Sequence, residues 1–411
     1  MKRSETVISE RDKHDRNGGI VTPSTIKHVR SSWTAVIAVR LATFSVVTTE
    51  MLPVGLLTSI AGTLDITTGS AGLMISLPAL LAALFAPLVV IAAGGLDRRW
   101  ILCGLLALLV MANLASALAP NLVVMLAARI FVGFCIGGIW AVAGGLAARL
   151  VPENATGLAT SIIFGGVAAA SVLGVPLGAF IGDVIGWRWA FGSMALFSAL
   201  VLGLHLTVIP PLPVAGSASI SQFIAQLGNR KLLTGLFLTL LLVMSHFVAF
   251  TFVRPLLNSV SEFDTQWIGT ILFAYGIAGI AGNFLVGIYA ARYTTLTLIA
   301  IAIGLVLTPL LFISAGQTVT GGGTILIFWG LAYGGLSVGL MTWMMKAAPR
   351  AVEIAAALYV GVFNTGIALG AWAGGKVVDT FLLTDTLWLA CGLAVAALLS
   401  AVVAGLAQDR T

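Results

Sequence analysis

Charged residues are few in this chain. Together they make up 9% of 411 residues, against roughly 25% in an ordinary soluble domain. The length would suffice for two or three soluble domains, but so little charge would not keep them in water. Cysteine is scarcer still. Cys103, Cys135 and Cys391 lie far apart within apolar runs, a spacing that fits neither a metal site nor a disulfide framework, and they read as small packing residues. There is no phosphate-binding loop, metal-ligand cluster or nucleophile triad, and no segment could form a soluble nucleotide-binding domain. Hence no cofactor is expected, and no enzymatic activity, since an intramembrane enzyme needs paired catalytic groups at membrane depth. The net charge of +6 points to nucleic acid only if basic residues cluster on a folded soluble face. Here they are dispersed among loops, and no nucleic-acid partner is expected.

What the chain has is apolar sequence, 59% of it. Runs of about 20 apolar residues are long enough to cross a ~30 Å hydrocarbon layer as helices. They fall near 33–60, 70–93, 100–118, 121–148, 157–182, 188–209, 232–257, 267–290, 296–315, 322–345, 354–377 and 386–407. The expected fold is an all-α membrane protein of twelve transmembrane helices in two six-helix bundles, 33–209 and 232–407. Residues 1–32 are polar and expected to be a disordered tail, with no cleaved leader. Residues 210–231 read as the linker between bundles, and 408–411 as a short tail. Sixteen of the 21 basic residues fall in one set of loops and tails. The positive-inside rule puts that set, with both termini, in the cytoplasm.

The two halves carry an internal repeat. Gly133, Gly137, Gly138, Arg149 and Pro152 match Gly330, Gly334, Gly335, Lys346 and Pro349 at a single offset. Gly174, Gly178 and Gly182 match Gly366, Gly370 and Gly374. Six spans separate the copies, so they face the same way, as in transporters with parallel repeats. In the fifth span Gly166, Ala170, Gly174, Gly178 and Gly182 recur every fourth residue. That small face allows close helix approach, either as static packing or as a surface on which helices rock.

Intramembrane charges are costly, so each invites a reason. Glu50 is the only carboxylate deep in a span. Burial favours the protonated form of a carboxylate, which suits a proton carrier; a structural hydrogen-bonding glutamate is the plainer reading. Arg129 matches Leu326 in the repeat, so this charge belongs to one half only. It could pair with Glu50, line a cavity or serve structure alone. His246 reads as a substrate contact, a proton acceptor or a neutral packing residue. Asn364, Trp140, Phe134 and Phe363 are further cavity candidates. Arg254 and Arg40 sit near span ends, where snorkelling is expected.

These residues carry a resemblance. TTEMLPVGLL around Glu50, RIFVGFCIGGIWA from Arg129 and GVPLGAFIG with Gly174, Pro176 and Gly178 resemble motifs of spans one, four and five of the major facilitator superfamily. The likeness is to its twelve-span drug:proton antiporter branch, close to bacterial sugar-efflux and purine-nucleoside-efflux permeases. HFVAFTFVRP and FNTGIALGAWAG resemble spans seven and eleven of the sugar-efflux group. The resemblance covers residues 33 to 407. It implies a proton-coupled antiporter of the bacterial inner membrane that exports a small organic solute, such as a sugar, nucleoside or drug, by alternating access. Glu50 and Arg129 would then be the proton-coupling residues, and Gly174, Pro176 and Gly178 conformational ones. The family's cytoplasmic loop between spans two and three is shortened here to GGLDRRW, where Asp97, Arg98 and Arg99 are gating candidates. A uniporter or a proton-coupled importer on the same fold is the other reading. The expected partners are a small-molecule substrate, protons and the lipid bilayer, and nothing demands more than a monomer.

Overall fold

The computed structural model describes residues 32–92, 96–152, 155–212 and 220–408. Among the described residues there is no strand. In lipid every backbone N–H and C=O needs an internal partner, and a helix supplies it within one segment. Twelve helices are long and apolar enough to span a membrane. They are α1 Trp33–Leu64, α2 Thr68–Ala92, α3 Arg98–Ala117, α4 Leu122–Leu150, α5 Thr156–Ile185 and α6 Trp187–Val208. The second six are α7 Arg230–Phe250, α8 Thr265–Ala290, α9 Thr294–Ala315, α10 Val319–Ala347, α11 Val352–Thr380 and α12 Asp385–Gln408. All twelve expected spans have a helix. The tail expected over residues 1–32 lies almost wholly outside the described residues, as does most of the tail 408–411. Within the expected linker, Ile220–Gln226 forms a short helix and Arg230 already opens α7.

An even number of spans puts Ser32 and Gln408 on one side, here called the terminal end; the other is the far end. Loop polar residues start helices at both ends. Asn121 caps α4 by accepting from the Val124 N–H at 3.0 Å, Asn229 caps α7 and Asp97 caps α3.

Three spans are interrupted, each where its sequence weakens the helix ladder. In α5 a π turn occupies Ala170–Gly174, just ahead of Pro176. Proline lacks an N–H and its ring crowds the carbonyl four residues back, and the wider turn relieves both. Pro255 does the same to the seventh span, which breaks after Phe250 and resumes as Val253–Ser259. In α10 the break falls at Gly335.

The buried side chains form two clusters. One lies wholly within the first six helices and their exit at Leu212, toward the terminal end. The other joins Leu52–Ala79 and Val175–Met194 of the first half to α7–α12. The halves are therefore joined toward the far end, while the first half keeps a core of its own at the terminal end.

The repeat glycines do equivalent work in both halves. A methyl group on Gly133 would meet the Pro78 carbonyl oxygen at 2.6 Å, so α4 lies directly on α2. On Gly330 it would strike the Tyr275 carbonyl, so α10 lies on α8. Gly174 sits 2.8 Å from the Thr48 hydroxyl by the same measure, and Gly366 sits 2.9 Å from Val243 Cβ. Thus α5 packs on α1 as α11 packs on α7.

Candidate functional site

The polar centre of the first half is built on α1. Glu50 is 4% exposed and its Oε1 has no hydrogen-bond partner. Arg129, from α4, is fully buried. It makes no close ion pair with Glu50, although the two charges interact at longer range. Its Nη1 donates instead to the Thr49 carbonyl at 2.7 Å, and its guanidinium lies over the Phe191 ring at 4.8 Å. Its Nε and Nη2 have no hydrogen-bond partner. Asn113 of α3 donates from Nδ2 to the Thr49 hydroxyl at 3.1 Å, and its Oδ1 is unpartnered. Arg129 and Asn113 thus both hold Thr49, the residue beside Glu50. Sequence reasoning passed over Asn113; its signal was a lone amide within the apolar run VMANLAS.

Facing this centre, the second half presents rings. His246 of α7 lies between Tyr333 and Phe250, with centroid separations of 3.5 and 4.6 Å. Trp329 meets the imidazole edge-on at 5.5 Å, and Phe250 stacks on Tyr275 at 4.7 Å. Tyr359 and Phe363 of α11 adjoin at 5.6 Å. Glu50 lies within electrostatic reach of Tyr333, and Tyr333 interacts in turn with Tyr275 and Tyr359. His246 and Phe363, offered by the sequence as cavity candidates, both lie among these rings. The three tyrosines and Trp329 were missed, because a ring in an all-apolar helix gives no sign of which way it points. Asn364 donates to the Val360 carbonyl of its own helix at 2.9 Å. Phe134 packs against Phe85 at 3.8 Å, and Trp140 against Phe164 at 5.7 Å. Those contacts of Phe134 and Trp140 stay inside the first half.

The conformational candidates resolve differently. Gly174 and Gly178 pack on Thr48 and Leu52 of α1, within the first half. The Pro176 carbonyl instead faces Gly269 of α8, in the second half, and Val172 faces Gly276. Asp97 accepts from the N–H groups of Arg99 and Leu212 at 2.9 and 2.8 Å. Arg99 donates to the Leu206 carbonyl at 2.7 Å, and the Arg98 N–H to the Leu212 carbonyl at 3.2 Å. These bonds tie the loop before α3 to the chain leaving α6.

At the far end the halves are locked by polar side chains. Arg254 was expected to snorkel; it is 2% exposed and pairs with Asp183 of α5 while also donating to the Gly55 carbonyl. Asp379 of α11 accepts from the Gly69 N–H and the Thr67 hydroxyl, both at 2.9 Å. Ser76 donates to the Ala368 carbonyl at 2.7 Å. Arg40 is exposed.

The sequence profile described as Major Facilitator Superfamily matches residues 40–371. The chain belongs to this superfamily. It is 32% identical over 364 residues to the purine ribonucleoside efflux pump NepI of Salmonella typhimurium, covering 89% of this chain and 92% of that protein. It is 33% identical over 357 residues to the transcription regulatory protein OpdE of Pseudomonas aeruginosa, covering 85% of this chain and 88% of that protein. Among solved structures it resembles the nucleoside transporter NupG, with a TM-score of 0.71 and 17% identity over 89% of this chain and 99% of that one. It also resembles a bacterial homologue of the lysosomal transporter Spinster in an inward-facing, unoccupied conformation, with a TM-score of 0.70 and 14% identity over 92% of this chain and 96% of that one. As a member of the Major Facilitator Superfamily, the chain is a multi-pass membrane transporter.

Proposed function

We propose that this transporter exports a flat solute with a polar rim, of the purine nucleoside class, in exchange for protons. The observation that carries the reading is Glu50, a buried carboxylate with an unpartnered oxygen, within electrostatic reach of Tyr333 on the opposite half. Rings offer faces on which a heterocycle stacks, and hydroxyls and an imidazole beside them offer hydrogen bonds to its edge. A carboxylate in that wall can either carry a proton or meet the solute, which is what exchange requires. Likeness to an efflux pump for purine ribonucleosides supports the direction and the substrate class.

The excess of basic residues in one set of loops supports a terminal end facing the cytoplasm of a bacterial inner membrane. With the halves locked at the far end, solute would enter from the cytoplasm. Release would follow when the far-end contacts part and those at the terminal end form.

The test is flux in proteoliposomes with the purified protein, tritiated inosine and an imposed pH gradient. Proton exchange predicts that the gradient drives inosine uphill and that Glu50→Gln abolishes this while leaving inosine–inosine exchange. Equal flux with and without a gradient would establish a uniporter instead, and solute moving with the protons would establish an importer.

A further inference from the structure

Away from the centre, α7, α8, α9 and α10 meet at the terminal end around a cavity of about 430 Å³. Three helix ends bring a cation each to it: Lys231 is the second residue of α7, Arg292 follows α8 and Lys346 lies in the last turn of α10. Trp343 and Tyr293 complete its wall. Among the described residues no carboxylate pairs with any of the three cations. Lys346 donates to the Ala291 carbonyl at 2.6 Å and to the Thr294 hydroxyl at 2.8 Å, and its ammonium has a third N–H to give. The Arg292 guanidinium lies over the Tyr293 ring at 5.2 Å. Beside them α9 begins with no side-chain cap, and a helix N-terminus favours an anion.

A second cavity adjoins this one. A groove of about 450 Å³ runs up the outer face of α8, α9 and α10, lined by Gly282, Leu285, Val286, Leu296, Ala300 and Leu331 among others, and it shares Tyr293 and Leu296 with the basic cavity. Gly282 precedes Arg292 by ten residues, or ~15 Å along a helix. That is half of a ~30 Å hydrocarbon layer, the depth of one leaflet. A positive pocket at the membrane edge, adjoining an apolar channel of leaflet depth, has the charge and shape of one kind of molecule.

We infer that this site holds a phospholipid with an anionic headgroup, its phosphate among Lys231, Arg292 and Lys346 and one acyl chain in the groove. A zwitterionic lipid would bring its own cation to a pocket that already has three. A free phosphate would leave the apolar channel unfilled. The bound lipid would join α8, α9 and α10 at the end where the second half lacks contact with the first half's terminal-end core.

Lipid retention is read by native mass spectrometry on delipidated protein given phosphatidylglycerol, phosphatidylcholine of the same chains, or glycerol phosphate. Wild type should retain one phosphatidylglycerol in preference to phosphatidylcholine, and glycerol phosphate should not displace it. Lys231→Gln with Arg292→Gln, two side chains with no hydrogen bond to lose, should weaken retention about fivefold per charge, roughly 25-fold together. Ala300→Trp should block the chain and weaken it with the charges intact. Arg350→Gln, a terminal-end cation outside the cavity, should change nothing. Equal retention of the two lipids, undiminished retention by the double variant, or displacement by glycerol phosphate would each overturn the assignment.

Discussion

Arg254 and Asp183 are 71 residues apart in sequence and form an ion pair across the two halves of the protein. Arg254 also holds the Gly55 carbonyl of α1, so one guanidinium ties three spans at the far end. Breaking a buried pair by removing one partner is costly because the other charge stays behind, typically about 3–5 kcal/mol. We expect Asp183→Asn to lower the thermal midpoint in detergent and to raise labelling of a far-end cysteine probe. The double variant Asp183→Asn with Arg254→Gln should recover part of the stability. If the single and double variants unfold alike, the pair does not hold that end shut.

Glu50→Gln should separate transport from stability. The carboxyl group has a buried oxygen with no hydrogen-bond partner, and burial favours its neutral form, so the neutral isostere mimics that form and breaks no hydrogen bond seen in the structure. We expect unchanged or higher thermal stability together with loss of gradient-driven flux. A fall in stability of more than about 1 kcal/mol would mean that Glu50 has a structural partner.

Tyr333→Leu should weaken solute binding while sparing the fold. Stacking of a base on an aromatic side chain is worth about 1–3 kcal/mol, so KM for inosine should rise roughly 5- to 150-fold with a smaller effect on turnover at saturation. Tyr333→Phe should retain most of the affinity if the face matters more than the hydroxyl. Equal KM for all three proteins would remove Tyr333 from the site.

Glycines that look alike in sequence should differ when substituted. A methyl group at Gly178 would strike Leu52, whereas one at Gly165 meets nothing within 4 Å. We expect Gly178→Ala to destabilise by roughly 1–3 kcal/mol through overpacking, and Gly165→Ala to be neutral or to gain up to about 1 kcal/mol from helix propensity. Thermal unfolding of the two variants side by side decides it.

The spans, their number and the repeat were legible because hydrocarbon demands long apolar helices and close packing demands glycine at fixed spacing. What side chains face was not. A helix apolar on every side has no pattern that tells lipid from protein, so Tyr275, Tyr333 and Tyr359 passed unnoticed among leucines. Arg254 was misjudged for a related reason: nearness to a span end suggests water, yet Arg254 is buried and paired with Asp183 at an end sealed by the other half. Arg129 was legible as a charge that breaks the repeat and as one that acts on Glu50, but its hydrogen-bond partner, the Thr49 carbonyl, was not. Reading Glu50 as the nearest opposite charge misses the neighbouring backbone carbonyl that it binds.

The first turn of α2 is finished by a residue from the opposite half. Thr67 caps the Ser70 N–H at 3.0 Å, and its hydroxyl and the Gly69 N–H both rest on Asp379. A helix start completed in this way is only as well formed as the contact between the halves. When they part at this end, Gly69 and Thr67 must find water or let the turn fray. Amide exchange at Gly69 would therefore act as a clock on the far-end opening, reporting how often the protein turns itself outward.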